Sequence, residues 1–128
     1  MKRFPNSVGC PVELSLNLLG GKWKVVILAR LKEQSLGYAE LRKQIPGLSD
    51  KVLTERLADL QRQGWIERRR DGDGAGQSRY QLTAKGQTLR RVLQQLYEWG
   101  AEQAVEMNVR IRPNKSTENT VGSARRAL

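Results

Sequence analysis

The stretch IPGLSDKVLTERLADLQRQG, residues 45–64, contains the signals that decide the fold. Pro46-Gly47 predicts a turn, and Ser49 follows as a candidate helix N-cap whose hydroxyl can accept an orphan backbone N–H. Gly64 is placed to end the helix in the left-handed conformation. Between cap and stop, leucines recur at i, i+4 and i+7 and predict one apolar stripe: Leu53, Leu57 and Leu60.

The outer face of this predicted helix is polar. At about 100° per residue, Lys51 and Glu55 fall opposite the leucine stripe, and Thr54 lies on its flank. A recognition helix in a DNA major groove needs this construction, anchored on one side and polar on the other. An ordinary amphipathic surface helix has the same pattern, so the stretch alone leaves both interpretations open.

The composition is that of one small, basic domain. The chain has 128 residues and a formal net charge of +10 at pH 7, which favours polyanionic partners through counterion release. The single Cys excludes an intrachain disulfide, and the lack of His excludes a His-based triad or a His-ligated metal site. We find no signal peptide and no apolar run near the roughly 20 residues of a membrane span. We therefore expect a cytoplasmic protein that is not an enzyme and uses no cofactor or metal.

The surrounding sequence predicts a mainly α domain with a small β-hairpin wing. A first helix opens at Cys10-Pro11, with Glu13 in the position of a capping-box acid, and a second covers residues 22–31. Residues 36–37 fit a very short strand, and Tyr38–Gln44 fits a compact helix that ends before a proline. Joined to the helix described above by a turn that contains Gly, it forms a helix-turn-helix.

Residues 65–82 predict the wing. Residues 65–70 and 79–82 alternate like strands around the loop DGDGAGQS, residues 71–78. A basic hairpin after a recognition helix is typical of a wing that follows the DNA backbone or reaches a minor groove. The alternative is a solvated hairpin whose arginines protect an edge strand. Candidate backbone contacts are Tyr38 and Arg42 on the preceding helix and Arg68, Arg70, Ser78 and Arg79 on the wing.

The last predicted helix is longer than the domain requires. Thr83 is predicted to cap one helix over residues 84–107, and its about 24 residues would span about 36 Å. Its apolar stripe continues to its end, and the first helix is apolar on two faces. We predict that both helices pack against a second copy of the chain, with a coiled-coil tail as the alternative. The candidate dimerisation residues are Leu14, Leu18, Leu96, Trp99 and Met107.

The predicted organisation has three parts. Residues 1–9 form an extended arm, residues 10–107 the winged helix-turn-helix domain with its N- and C-terminal dimerisation helices, and residues 108–128 a disordered tail. The first five residues of that tail could be a frayed continuation of the last helix. The remainder is rich in Asn, Ser, Thr and Arg and has little to bury.

Several segments carry a resemblance at matching order and spacing: Cys10-Pro11-Val12-Glu13, Gly20-Gly21-Lys22-Trp23-Lys24, Glu40-Leu41, Ile45-Pro46-Gly47-Leu48-Ser49, Leu53-Thr54, Leu57 with Leu60, Gly64, Tyr80-x-Leu82-Thr83 and Trp99-Gly100. Together they resemble the HxlR family of bacterial and archaeal winged helix-turn-helix regulators, which is related in design to the MarR group. The resemblance covers roughly residues 10–100. It implies a homodimer, joined through its first and last helices, that binds double-stranded DNA at an inverted repeat near a promoter.

The resemblance also implies a regulatory role. Regulators of this family often control a neighbouring oxidoreductase or detoxification gene, and some repress while others activate; we predict a repressor. The family wing usually carries a Pro-Pro element and a Val-Glu pair before the Tyr, whereas residues 74–79 here are GAGQSR. Arg79 thus replaces an acid, and a Gly-rich wing should be more mobile, which leaves the family's wing contacts open in this chain.

The candidate contacts of the recognition helix are Ser49, Lys51, Thr54, Glu55 and Arg56. Lys51 can donate to guanine or to a phosphate, Thr54 can contact a thymine methyl, and Glu55 can accept from cytosine. Arg56 lies nearer the buried side, where we expect an ion pair or a backbone phosphate contact.

Cys10 is a candidate redox or effector site. Some family members sense electrophiles or disulfide stress through the cysteine that Cys10 matches. With one Cys per chain, an oxidant or small-molecule effector could produce only a disulfide to a partner subunit, a mixed disulfide or an adduct. The alternative is a small apolar residue whose thiol has no role.

Other functions fit less well. Gly72-x-Gly74-x-Gly76 lacks the preceding apolar strand and following helix of a nucleotide-binding loop. Asp71-x-Asp73 suggests a calcium loop, but Leu82 stands where the bidentate Glu is needed. The remaining alternative to operator binding is a winged helix that binds a protein or RNA.

Overall fold

The computed structural model describes residues 6–70 and 78–112. Most of the predicted arm, nearly all of the predicted wing loop and the tail from residue 113 lie outside the described residues. The elements in chain order are α1 Pro11–Leu19, α2 Lys22–Glu33, β1 Leu36–Gly37, α3 Tyr38–Gln44, α4 Asp50–Arg62, β2 Ile66–Arg70, β3 Ser78–Leu82, α5 Ala84–Gln87 and α6 Arg90–Glu106. The three strands form an antiparallel sheet in the order β1-β3-β2. The prediction of a mainly α fold with a small β-hairpin is confirmed.

The core lies between α2, α4 and the sheet. The leucine stripe of α4 is confirmed, since Leu53, Leu57 and Leu60 are each at most 2% exposed. They pack with apolar residues of α2, the strands and Leu93 of α6. Full burial of a leucine side chain contributes about 1.5–3 kcal/mol, so this stripe fixes which face of α4 is turned outward.

One buried charge joins α2 to α6. Lys32 is only 5% exposed, and its ammonium donates to Gln94 Oε1 over 2.9 Å and also contacts the Glu33 carboxylate. Nearby on α2, burial lowers the pKa of the Arg30 guanidinium. Electrostatic interactions with Tyr97 of α6 and with Glu33 act in the opposite direction and raise that pKa. Helix α6 is therefore attached to the body by polar contacts as well as by Leu93.

The prediction of one final helix over residues 84–107 is wrong in its first part. The chain forms the single turn α5 and then α6, because i→i−3 bonds replace the α-helical ladder between them: Thr88 N–H donates to Lys85 O and Leu89 N–H to Gly86 O. The Thr88 hydroxyl donates to the same Lys85 carbonyl over 2.6 Å. Thr83 does cap this segment, accepting from Gly86 N–H, and α6 alone has 17 residues, about 26 Å.

Two smaller predictions, on the cap of α1 and on the chain after α6, are wrong. Glu13 does not reach the Cys10 N–H as a capping-box acid would; its carboxylate accepts from Gly9 N–H over 3.2 Å. After α6 the chain does not continue as a frayed helix, because Asn108 adopts a left-handed φ of 57° and Val109 N–H donates to Ala104 O over 2.8 Å. Within the described residues, no helix combines the length and apolar character needed to cross a membrane.

Candidate nucleic-acid interface

Helix α4 is fixed at both ends by contacts that leave its outer face clear. The Ser49 hydroxyl accepts from Val52 N–H over 3.1 Å, which confirms the predicted N-cap. Gly64 takes φ +83°, a conformation that an L-residue adopts only with strain, and Trp65 N–H then reaches back to Leu60 O over 3.0 Å. The Lys85 ammonium covers a further carbonyl, Gln63 O, over 3.0 Å.

The first two turns of α4 present exposed polar side chains. Lys51, Thr54 and Glu55 are all exposed, and Lys51 and Glu55 form no side-chain hydrogen bond or ion pair with residues 6–70 or 78–112. The hydroxyl of Ser49 is engaged in capping, so only its remaining lone pair and its proton are left for another partner. This surface has both a donor and an acceptor free to meet base edges.

Arg56 points toward the C-terminal half of α4. Its guanidinium lies 3.8 Å from the Asp59 carboxylate, which also contacts Arg62 and lies 4.0 Å from the Lys24 ammonium. The ion pair expected for Arg56 is therefore present. Both side chains are partly exposed, and surface pairs typically contribute only about 0–1 kcal/mol, so the pair leaves Arg56 able to exchange partners.

Tyr38 and Arg42 converge on the first turn of α4. The Tyr38 hydroxyl donates to Asp50 Oδ1 over 2.9 Å and lies 3.4 Å from Thr54 Oγ1. The Arg42 Nε is 2.7 Å from Asp50 Oδ1, and its Nη1 donates to Leu48 O. The two predicted phosphate-binding side chains thus share one carboxylate.

The arginines of the hairpin divide into two groups. Arg68 and Arg70 of β2 are exposed and stand opposite Tyr80 and Ser78 in the register. Arg79 instead turns to the body, where it donates to Ser35 O over 2.7 Å, to Ser35 Oγ and to Glu40 Oε1. The Ser78 hydroxyl is buried and has no hydrogen-bond partner among the described residues. Arg79 therefore links the middle strand to α3, whereas Arg68 and Arg70 stay available to a backbone.

Large apolar side chains are exposed on α1, on α6 and just beyond α6. Of the predicted dimerisation residues, Leu14, Leu96, Trp99 and Met107 are exposed, Trp99 by 62%, while Leu18 packs partly against the core. Arg91, Val92, Gln95, Leu96 and Trp99 line a shallow groove along α6. Cys10 is exposed at the N-cap of α1, on the same helix as Leu14.

Sequence reasoning missed two residues of this region. Asp50 was not identified as the shared acceptor of Tyr38 and Arg42, although those residues are four apart on one helix and an acid opens the next. Glu40 was not identified as the partner of Arg79, because only the sheet order places β3 beside β1 and so brings Arg79 opposite Gly37.

Comparison with known proteins gives one consistent result. A family model described as HxlR-like helix-turn-helix matches residues 18–108. The HTH-type transcriptional regulator YybR of Bacillus subtilis is 33% identical over 97 residues, which cover 76% of this chain and 78% of that protein.

Solved structures agree in fold. The redox regulator HypR in its oxidized form has a TM-score of 0.67 and 31% identity, covering 73% of this chain and 96% of that chain. The quinone-bound YodB of B. subtilis has a TM-score of 0.59 and 32% identity, covering 73% and 99%. Both matches span nearly the full length of the solved chains.

Proposed function

Because this chain belongs to the HxlR-like helix-turn-helix family of DNA-binding transcriptional regulators, we propose that it binds an inverted-repeat operator as a homodimer and represses transcription there. The observation that carries the proposal is the exposed polar face of α4. Lys51, Thr54 and Glu55 project from a helix whose opposite side is held by fully buried leucines, and the exposed arginines of β2 follow directly in the chain.

Electrostatics support a duplex as the partner. The net charge of +10 supplies the sequence-independent attraction to phosphates, and the side chains of α4 supply a means of base discrimination. We assign Arg68 and Arg70 to backbone contacts. Arg56 and the pair Tyr38 and Arg42 would engage phosphates after leaving their carboxylate partners. The Asp50 side chain is exposed and that of Asp59 partly exposed, so solvent weakens both ion pairs.

The apolar surface of α1 and α6 supports a second copy as the other partner. Leu14 and Met107 are exposed, and the exposed Leu96 and Trp99 line one groove on α6; an exposed apolar patch on a small protein marks an interaction site. A twofold dimer would bury this surface and duplicate α4, which matches the symmetry of an inverted repeat.

We further propose that Cys10 makes DNA binding responsive to oxidants or electrophiles. The thiol is exposed on the helix that carries Leu14, and the similar structures include a redox regulator and a quinone-bound protein. Two Cys10 thiols of a dimer would lose two protons and two electrons to an oxidant such as diamide and form one interchain disulfide; a quinone would instead add to the thiol. If Cys10→Ser retains the diamide-induced loss of DNA binding, this part of the proposal is wrong.

Binding of the full chain to duplex DNA and to RNA of the same sequence tests the core of the proposal. We expect tighter binding to the duplex, with an observed association constant that falls steeply as salt rises. A chain that prefers the RNA, or that binds neither, would favour the alternative of an RNA-binding or protein-binding winged helix.

A further inference from the structure

Asp50 is an acid within the surface proposed to bind DNA. It opens α4, next to Lys51, and its side chain is 71% exposed. It accepts from two side chains of α3 at once, the Tyr38 hydroxyl over 2.9 Å and the Arg42 guanidinium over 2.7 Å. Both donors stand on one face of α3, four residues apart.

This donor set suits a phosphate as well as a carboxylate. A guanidinium with an adjacent hydroxyl forms charge-assisted hydrogen bonds to either anion, and Arg42 also donates to Leu48 O, which holds it in place. Because the Arg42–Asp50 pair is exposed to solvent, its strength is modest and screened by salt. A phosphate brought to this point could therefore replace the Asp50 carboxylate.

We propose, given the DNA-binding function proposed above, that Asp50 competes with DNA phosphate for Arg42 and thereby lowers the affinity of the chain for duplex DNA. On mixed-sequence DNA, Arg42 stays on Asp50, and one phosphate per protomer is not neutralised. On the operator, Arg42 passes to a phosphate, and the free energy of the Arg42–Asp50 pair is lost on binding. In both cases the Asp50 carboxylate weakens the complex.

The Asp50→Asn variant tests this competition because it keeps the size of the side chain and removes its charge. We expect its affinity for a mixed-sequence duplex to rise by about threefold or more, and the slope of log K against log salt to steepen by about 0.9 per protomer, the value for one extra phosphate contact. The affinity for the operator should rise by at least the same factor, because operator binding no longer breaks the Arg42–Asp50 pair. The operator is the duplex that the wild-type chain selects from a random pool.

Two further variants separate competition from a simple gain of positive charge. Glu102→Gln changes the net charge equally on exposed α6, away from Asp50, and should leave both duplex affinities within about twofold. In an Arg42→Gln background, Asp50→Asn should no longer strengthen binding to mixed-sequence DNA, because the cation that it releases is missing. Thermal unfolding of each variant reports its folding, and Asp50→Ala replaces Asp50→Asn if the latter does not fold.

The outcomes are distinct. If the wild-type chain binds no duplex, the proposed function fails, whatever Asp50 does. If the wild type binds but the Asp50 variant binds mixed-sequence DNA equally or more weakly, Asp50 positions the helix-turn-helix and does not compete for Arg42. A gain that persists without Arg42, or that Glu102→Gln reproduces, would likewise overturn the competition.

Discussion

Gly86 of α5 packs directly against the backbone carbonyl of Trp65, so that an added Cβ would overlap the Trp65 oxygen and would also lie 3.2 Å from Leu82 Cβ. This contact attaches the start of the C-terminal segment to the end of β3 and to Trp65, the residue that precedes β2. The Thr83 hydroxyl strengthens the same joint by donating to Gly64 O over 2.5 Å and accepting from Gly86 N–H.

We expect Gly86→Ala to destabilise the protein by roughly 1–3 kcal/mol, because the backbone of Trp65 must move to admit one methyl group. Urea unfolding followed by tryptophan fluorescence measures the loss. Gly9→Ala is the matched control: the atom nearest to its added Cβ is a Glu13 carboxylate oxygen at 3.6 Å, and we expect a change within about 0.5 kcal/mol. Equal stability of the two variants would show that the Gly86 contact is looser than described.

The two groups of hairpin arginines should separate stability from DNA binding. Arg79→Ala removes three hydrogen bonds to Ser35 and Glu40 and should destabilise the protein by roughly 1–2 kcal/mol, the scale of partly exposed charged bonds. Arg68→Ala should leave stability within about 0.5 kcal/mol and weaken DNA binding, with a salt slope shallower by about 0.9 per protomer. Full stability with weakened DNA binding in the Arg79 variant would assign that arginine to the DNA.

Lys51→Ala should weaken operator binding by more than about 1 kcal/mol, because a free ammonium on the outer face of α4 is lost. Arg90→Ala is the control, since Arg90 is exposed at the start of α6 and donates to Gln87 over 2.9 Å. Fluorescence anisotropy with the operator duplex compares them. An unchanged dissociation constant for the Lys51 variant removes this residue from the interface.

Trp99→Ala should raise the dissociation constant of the dimer by about tenfold or more, because a large, 62% exposed ring leaves the proposed interface. Trp99→Phe keeps an apolar ring and should largely retain the dimer. Sedimentation velocity over a range of concentrations gives the dimer dissociation constants of the wild type and of both variants. A wild-type chain that stays monomeric at micromolar concentration, or a Trp99→Ala dimer as tight as the wild type, would rule out this interface.

Local signals predicted most of the fold. The leucine stripe, the Ser49 cap and the Gly64 stop defined α4 because periodicity, capping and left-handed termination act within a few residues. The bounds of α3 and the short strand β1 followed from similar local signals. The break between α5 and α6 could not be predicted in this way, since the apolar periodicity does not mark the i→i−3 bonds of Thr88 and Leu89. The packing of Gly86 against Trp65, 21 positions earlier in the chain, is likewise a tertiary contact that local signals do not show.

The exposure of the candidate residues on α4 was predictable from the sequence, whereas the internal partners of the other candidates were not. Exposure of Lys51, Thr54 and Glu55 follows from helical geometry. The internal contacts of Tyr38, Arg42 and Arg79 arise because α3 lies beside the first turn of α4 and because β3 lies beside β1. The burial of Lys32 was not predictable for the same reason, because its contact with Gln94 depends on how α6 packs against α2.

Selection of bound sequences from a random duplex pool by the full chain tests the central claim most directly. A twofold dimer that reads DNA through α4 should enrich an inverted repeat whose half-sites are about one helical turn, ~34–36 Å, or a multiple of it apart. A Lys51→Ala chain should lose enrichment at one symmetric pair of positions. Recovery of unenriched sequences, or of a single half-site without a symmetric mate, would contradict sequence-specific binding by a homodimer.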